Sequence, residues 1–183
     1  MYHYGRATLS LIASSILLLS FVLFSQTVRA EDAPEQLTDE QRSHIVSECT
    51  QIKGSLSQLH ATDALLRVNR GQVYESISTK LMLPFNARLN ASGLDNKAMT
   101  TLAMQYQTAL DQFRTDYISY EKKVAETLRI DCAQQPDQFY QSILEARGLR
   151  STVHDDIGTL HHALDDYGTS VNDFLLNFTR IAE

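Results

Sequence analysis

The chain has 183 residues, of which 43% are hydrophobic and 21% charged, with two cysteines, no tryptophan and only three prolines. This length allows one domain or two small ones, and the balance of apolar and charged residues excludes both a disordered chain and a polytopic membrane protein. Sixteen basic against 22 acidic residues give a net charge of −6, which argues against a nucleic-acid partner.

The first thirty residues have the layout of a secretory signal peptide. Arg6 precedes an apolar segment over residues 9–24, and Val28 and Ala30 supply small residues at a cleavage site. We therefore predict a signal peptide over 1–30 and export to the periplasm, the cell surface or the extracellular space. An uncleaved N-terminal anchor is the alternative, although the apolar segment is shorter than the roughly 20 residues of a membrane span. Cleavage would leave residues 31–183 with a net charge of −8 and no predicted membrane span.

The first predicted helix follows a polar lead-in. Residues 31–37 contain Pro34 and are expected to be disordered, and Thr38 and Gln41 then have the spacing of a helix-capping box. Beyond them, apolar residues step by four and three, as on one face of a helix. The stripe predicts a helix over 38–80 that buries Ile45, Cys49, Ile52, Leu56, Leu59, Leu66, Val73 and Ile77.

Leu37–Gln41 resembles the LTxxQ motif of the small helical periplasmic stress chaperones. Those proteins carry a second copy of the motif and have a basic concave face, whereas this chain has one copy and is acidic. Nothing about fold or function is carried over from these five residues.

The segment 81–95 is predicted to connect the first two helices, because it contains Pro84, several asparagines and Ser92-Gly93. A short additional helix at 84–91 is the alternative. The segment is unusually apolar for a solvated connection. It is expected to fold back over the end of the bundle or, alternatively, to form an interaction tip made of Leu81, Leu83, Phe85, Leu89 and Leu94.

Two more helices are predicted over 96–130 and 137–181, each with the same four-three stepping. Asp131–Gln135 forms a short reversal, and Pro136 suits the first turn of the next helix. The predicted fold is all-α, a single elongated antiparallel three-helix bundle over 38–183 with coiled-coil-like packing.

The two cysteines provide a check on this arrangement. An antiparallel hairpin that pairs Cys49 with Cys132 reverses near residue 90, inside the predicted connection. Cysteines of small exported proteins are usually bonded, so we predict a disulfide between these two residues.

The same register predicts a buried polar layer. Asp63 should face Arg150 on the third helix and lie beside Tyr117 on the second, and Arg70 should approach Asp111. The main interpretation is that this layer fixes the helix register, and a functional polar pocket is the alternative.

Few residues are candidates for metal binding or catalysis. His161 with Asp165 and His162 with Asp166 are spaced one helical turn apart and could share a metal ion, but they are expected to lie on a solvated face. The sequence has no recognisable catalytic or cofactor motif, so we expect a non-enzymatic protein without a cofactor. The expected function is an exported interaction or structural module with an unknown protein or cell-envelope partner. The alternatives are a ligand-binding or chaperone-like protein that uses the apolar 81–94 tip or a groove, and a metal-binding protein.

Overall fold

The computed structural model describes residues 37–182, with side chains through residue 180. The predicted signal peptide at 1–30 and residues 31–36 of the predicted lead-in lie outside this range. The prediction that Leu37 belongs to a disordered lead-in is wrong, because this residue is buried. No helix of the described region is both long and apolar enough to cross a membrane.

The described chain is all-α and contains no strand. The helices are α1 (Asp39–Ser47), α2 (Cys49–Ser76), α3 (Leu83–Ala91), α4 (Lys97–Arg129) and α5 (Pro136–Ala182), with a π-helical turn at Ile77–Met82 between α2 and α3. The bounds of α4 and α5 differ by one residue at each end from the predicted 96–130 and 137–181. The described residues are therefore all-α, as predicted.

Helix α1 begins with the predicted capping box. The Gln41 N–H donates to the Thr38 hydroxyl, and the Thr38 N–H donates to the Gln41 side chain. Both bonds satisfy donors that a helix start otherwise leaves free. A single residue, Glu48, separates α1 from α2.

The prediction that 81–95 is a non-helical connection is wrong over most of this segment, because helical structure continues through Pro84 as far as Ala91. A proline inside a helix removes a hydrogen bond and crowds the carbonyl four residues earlier. Here a wider π-helical turn comes just before it, in which the Leu83 N–H donates to the Ser78 carbonyl. Pro84 then occupies the first turn of α3, where a missing N–H costs little. The alternative of a helix at 84–91 is thus close to the observed α3.

The loop between α3 and α4 is short. Gly93 has a φ of 71°, a left-handed conformation that glycine adopts without steric cost. The Leu94 N–H donates to the Leu89 carbonyl and closes the end of α3. The Asn86 and Asn96 side chains donate to the backbone carbonyls of Met99 and Asn86, and so join α3 to the start of α4.

Helix α4 lies at the centre of the packing. It contacts α5 over much of its length and contacts α2, α3 and the π-helical turn on another side. Its buried stripe follows the predicted four-three spacing and consists of Met99, Ala103, Tyr106, Leu110, Phe113, Tyr117, Tyr120, Val124 and Thr127. The core of the described chain is therefore built around α4.

Helix α2 is much less buried than its apolar stripe predicts. Its only buried residues are Asp63 and Tyr74, whereas Leu66 is 47% exposed and Val73 is 56% exposed. The reason is that α2 and α5 stand apart. No Cα atom of α2 lies within 8 Å of a Cα atom of α5. The predicted stripe exists, but one of the two helices expected to cover it stands too far away.

The predicted disulfide between Cys49 and Cys132 is confirmed. The two Cα atoms are 5.6 Å apart, within the range of ordinary disulfides. The bond joins the start of α2 to the reversal between α4 and α5. Nearby, Arg42 of α1 forms two hydrogen bonds to Asp137 of α5. This end of the molecule is therefore tied together both covalently and by an ion pair.

Candidate functional site: a groove between α2 and α5

Side chains bridge α2 and α5 where their backbones stand apart. The first bridge is a carboxylate that accepts three hydrogen bonds. Asp63 Oδ2 accepts from Arg150 Nε at 2.8 Å and from Tyr120 Oη at 2.7 Å, and Asp63 Oδ1 accepts from Arg150 Nη2 at 3.2 Å. Asp63 lies on α2, Tyr120 on α4 and Arg150 on α5. One buried side chain thus joins three helices.

The electrostatics of this bridge favour the ionised carboxylate. Burial raises the pKa of Asp63, but the hydrogen bonds from Arg150 and Tyr120 outweigh burial and hold that pKa below its usual value. Burial and the neighbouring carboxylate raise the pKa of Tyr120, so its hydroxyl keeps the proton that it donates. Arg150 remains charged, because its bond to Asp63 raises its pKa further.

A second bridge lies eleven residues further along both helices. The Tyr74 hydroxyl and His161 Nε2 are 3.0 Å apart and share a hydrogen bond. The Tyr74 ring also meets the Phe113 ring edge-on, with 6.0 Å between the ring centroids. At about 1.5 Å per helical residue, some 16 Å separate the two bridges along the helix axis.

A groove of about 540 Å³ lies in this part of the seam between α2 and α5. This volume falls within the roughly 300–1,000 Å³ that is typical of small-molecule sites. The lining residues come from α2, α4 and α5 and are Asp63, Leu66, Arg67, Arg70, Phe113, Tyr117, Tyr120, Arg150, Val153, His154, Ile157, Gly158 and His161. The floor is aromatic, and the walls combine apolar and basic side chains.

Gly158 lines the groove and, like the other glycines of the described region, has open space at its Cβ position. A Cβ atom built at Gly158 would meet no heavy atom within 4 Å. This glycine is not required by backbone geometry, because it lies within α5 and has no positive φ. A side chain at this position would therefore project into open space at the groove.

The arginines of the groove differ in whether they form an ion pair. Arg150 is bonded to Asp63, but neither Arg67 nor Arg70 forms an ion pair within the described region. The Arg67 guanidinium instead lies over the Tyr117 ring, 5.1 Å from its centroid. Such stacking leaves the N–H donors around the edge of the guanidinium available to a ligand.

Tyr117 carries a further unpaired polar group. The residue is only 3% exposed, and its Oη has no hydrogen-bond partner among the described residues. Burial and the charge of Glu121 raise the pKa of Tyr117, so the hydroxyl remains protonated and able to donate. Buried polar groups nearly always have a partner, which makes this hydroxyl an exception.

The predicted polar layer is present in part. Arg150 is hydrogen-bonded to Asp63. The two residues are 87 positions apart in sequence, and the predicted register between the two helices gave an offset of about 88. The tyrosine that completes the layer is Tyr120 rather than Tyr117, because its hydroxyl reaches the carboxylate one helical turn further along α4. Arg70 and Asp111 do not pair. Asp111 bonds instead to Gln107 and Arg114 on its own helix, while Arg70 lines the groove.

The five residues of the predicted tip have different environments. Leu89 is buried, and Phe85 and Leu94 pack partly against the core. Leu81 and Leu83 are mostly exposed. The segment thus covers part of the core through three side chains and presents the other two to solvent.

The predicted metal-ligand candidates do not converge. His161 bonds to Tyr74, and His162, Asp165 and Asp166 are exposed on the surface of α5. Among the described residues, no group of three histidine, cysteine or acidic side chains is placed to hold a metal ion.

Sequence reasoning missed most of the groove, although its pattern is visible in the chain. Asp63, Leu66, Arg67 and Arg70 follow the i, i+3, i+4, i+7 spacing of one helix face, and two of these four residues are arginines. Arg150, Val153, His154, Ile157 and His161 repeat this spacing on α5. Basic side chains on both facing stripes are the signal that could have indicated an open seam.

The chain matches no protein-family model, no curated protein and no solved structure. The function proposed below therefore depends on the residues and geometry of the chain itself.

Proposed function

We propose that this chain is an exported, non-enzymatic helical protein that binds a small ligand in the groove between α2 and α5. The observation that carries the proposal is the groove itself, about 540 Å³ in volume and lined by three helices. Two close-packed helices normally lie about 8–10 Å apart and leave no such space between them. The open seam is best explained by a ligand that occupies it.

The proposal includes a particular architecture. The described helices form an elongated three-helix bundle with coiled-coil-like packing along α4, and the groove opens the third seam. The four-three stripe of α2 supports this arrangement, because Leu66 has the spacing of a core residue and lines the groove. A ligand in the groove would cover apolar surface that α5 leaves uncovered.

The composition of the groove favours binding over catalysis. Its lining includes no serine, threonine, cysteine or lysine, so the nucleophile types present are aspartate, histidine and tyrosine. Asp63 is bonded to Arg150 and Tyr120, and His161 is bonded to Tyr74. These groups support the walls of the groove and are already engaged.

Export is supported by two features of the chain. Residues 1–30 have the layout of a signal peptide, and the two cysteines are bonded to each other, as is usual for proteins of oxidising compartments. The proposed ligand is accordingly a molecule found outside the cytoplasm.

The proposal is tested by filling the groove from the Gly158 side. We expect wild-type protein to bind one equivalent of N-phenyl-1-naphthylamine, a neutral apolar fluorophore, with a saturable rise in fluorescence. Gly158→Leu should weaken this binding by about 10-fold or more, because a branched side chain would occupy the site.

Gly148→Leu is the matched control. Gly148 also lies in α5 with open space at its Cβ position, but it does not line the groove. Both substitutions replace a helical glycine with a better helix former and should stabilise the helix by up to about 1 kcal/mol. Reduced binding therefore could not be attributed to unfolding. Wild-type affinity in Gly158→Leu would contradict the proposal.

A second candidate function uses the exposed part of the 81–94 segment. Leu81 and Leu83 present apolar surface that a chaperone-like protein could offer to an unfolded client. This function predicts that wild-type protein protects a denatured client from aggregation and that Leu81→Ser/Leu83→Ser does not. It also predicts that Gly158→Leu protects the client as well as wild type does.

A further inference from the structure

The charge of the groove differs from that of the chain. Arg67, Arg70 and Arg150 line the groove with a single carboxylate, Asp63, and that carboxylate is bonded to Arg150. The chain as a whole carries a net charge of −6. Two uncompensated arginines are thus concentrated in one concave surface of an acidic protein. Such a surface attracts anions, and low-dielectric walls strengthen this attraction.

The two free arginines are close together in sequence. Arg67 and Arg70 are three residues apart on α2, so they lie on the same face of that helix. Arg67 is held by stacking on Tyr117, which orders its guanidinium before any ligand arrives. Arginine donors fit the oxygens of carboxylate and phosphate groups in a bidentate manner.

Tyr117 provides an independent sign of a missing partner. Its hydroxyl is buried, protonated and without an acceptor in the described region, and the residue lines the groove beneath Arg67. A buried hydroxyl without a partner is costly, and an oxygen acceptor in the groove would remove that cost. The donors therefore available are two guanidinium groups and one hydroxyl.

The remainder of the lining is apolar. Leu66, Phe113, Val153 and Ile157 extend the groove beside these donors, and Phe113 and Val153 belong to the core. A bare inorganic anion would leave this surface uncovered. A purely apolar molecule would leave the arginines and the Tyr117 hydroxyl unpaired.

We propose that the ligand is an anionic amphiphile, a molecule with one carboxylate or phosphate head and an apolar tail. The head accepts hydrogen bonds from Arg67, Arg70 and Tyr117 Oη, and the tail lies along Leu66 and Ile157. This inference rests on the proposed function, because it assigns a chemical class to the ligand of the same groove.

The test is displacement of N-phenyl-1-naphthylamine by three competitors, measured with the full exported chain. Decanoate has the anionic head and the tail, decan-1-ol has the tail without the charge, and inorganic phosphate has the charge without the tail. We expect decanoate to displace the probe at a concentration about 10-fold or more below that needed with decan-1-ol, since charge-assisted hydrogen bonds are the strong ones. Inorganic phosphate should not displace it.

The variants separate the head from the tail. Arg67→Gln/Arg70→Gln should bring the affinity for decanoate down to that for decan-1-ol, because it removes the charged donors that distinguish the two competitors. Arg147→Gln is the control, since Arg147 is exposed on α5 and does not line the groove. It should retain the preference for decanoate.

The possible failures are distinguishable. In one outcome, decan-1-ol and decanoate displace the probe equally well, with both effects absent in Gly158→Leu. This result would contradict the claim that the ligand has an anionic head, while the groove would remain a binding site. Displacement of the probe by inorganic phosphate, but by neither of the other competitors, would contradict the claim that the ligand has an apolar tail. Probe binding that is unaffected by Gly158→Leu would instead overturn the proposed function.

Discussion

Replacing Asp63 with asparagine should destabilise the protein by about 2 kcal/mol at pH 7. The substitution keeps the size of the side chain but removes the charge that Arg150 and Tyr120 share. Arg150 is 52% exposed and can return to water, so its part of the loss is small, below about 1 kcal/mol. Tyr120 is only 2% exposed, and weakening its hydrogen bond costs about 1–2 kcal/mol.

The assay is urea unfolding followed by circular dichroism, with the disulfide intact. A double-mutant cycle with Tyr120→Phe isolates the hydroxyl–carboxylate bond. Tyr120→Phe should cost about 1 kcal/mol in wild type and much less in Asp63→Asn, because the bond is already weakened there. Equal costs in the two backgrounds would refute the assignment of this bond as a stabilising bridge.

The effect of Asp63→Asn should also depend on pH. The folded-state pKa of Asp63 lies below its unfolded value, so its stabilising contribution is present above the unfolded pKa and is lost as pH falls through the folded one. The stability difference between wild type and Asp63→Asn should therefore shrink below about pH 4. A difference that stays constant down to pH 2 would contradict this reasoning.

Two further predictions concern the disulfide and a pair of acidic residues. Cys49→Ser/Cys132→Ser should lower the free energy of unfolding by about 2–4 kcal/mol, because the bond joins residues separated by 83 positions, and thermal melting with and without reductant checks this. No change in either comparison would contradict it. Asp156→Asn should stabilise the protein by about 1 kcal/mol at pH 7, since burial and repulsion from Asp116 raise the pKa of Asp156 to about 6. The folded state binds this proton more tightly than the unfolded state, so wild-type stability should fall as pH rises from about 4 to 6, and the fall should be smaller in Asp156→Asn. Identical urea-unfolding profiles for the two proteins over this range would refute the assignment.

Much of the fold could be predicted from periodicity. The stripes of α4 and α5 are regular, and because both helices bury them against one another, the predicted bounds lie close to the observed ones. The cysteines located the hairpin, since a covalent bond between two helices restricts where the chain can reverse. The offset between Asp63 and Arg150 then followed from the same register.

The other features of the structure depend on tertiary geometry, which the spacing of apolar residues does not specify. Pro84 predicts the end of a helix, but a π-helical turn lets the chain continue past it. The stripe through Leu66 and Val73 predicts burial, yet burial requires a facing helix within packing distance. The distance between α2 and α5 cannot be read from residue spacing, and for this reason the sequence predicts a polar pocket only as the alternative to a closed layer.

Ligand binding in the groove is tested most directly by a methyl NMR titration of the protein with decanoate. We predict saturable shifts at the methyl groups of Leu66, Val153 and Ile157, which line the groove, and no comparable shifts in Gly158→Leu. Shifts confined to the exposed residues Leu81 and Leu83, or no shifts at all, would contradict the assignment of the groove as the binding site.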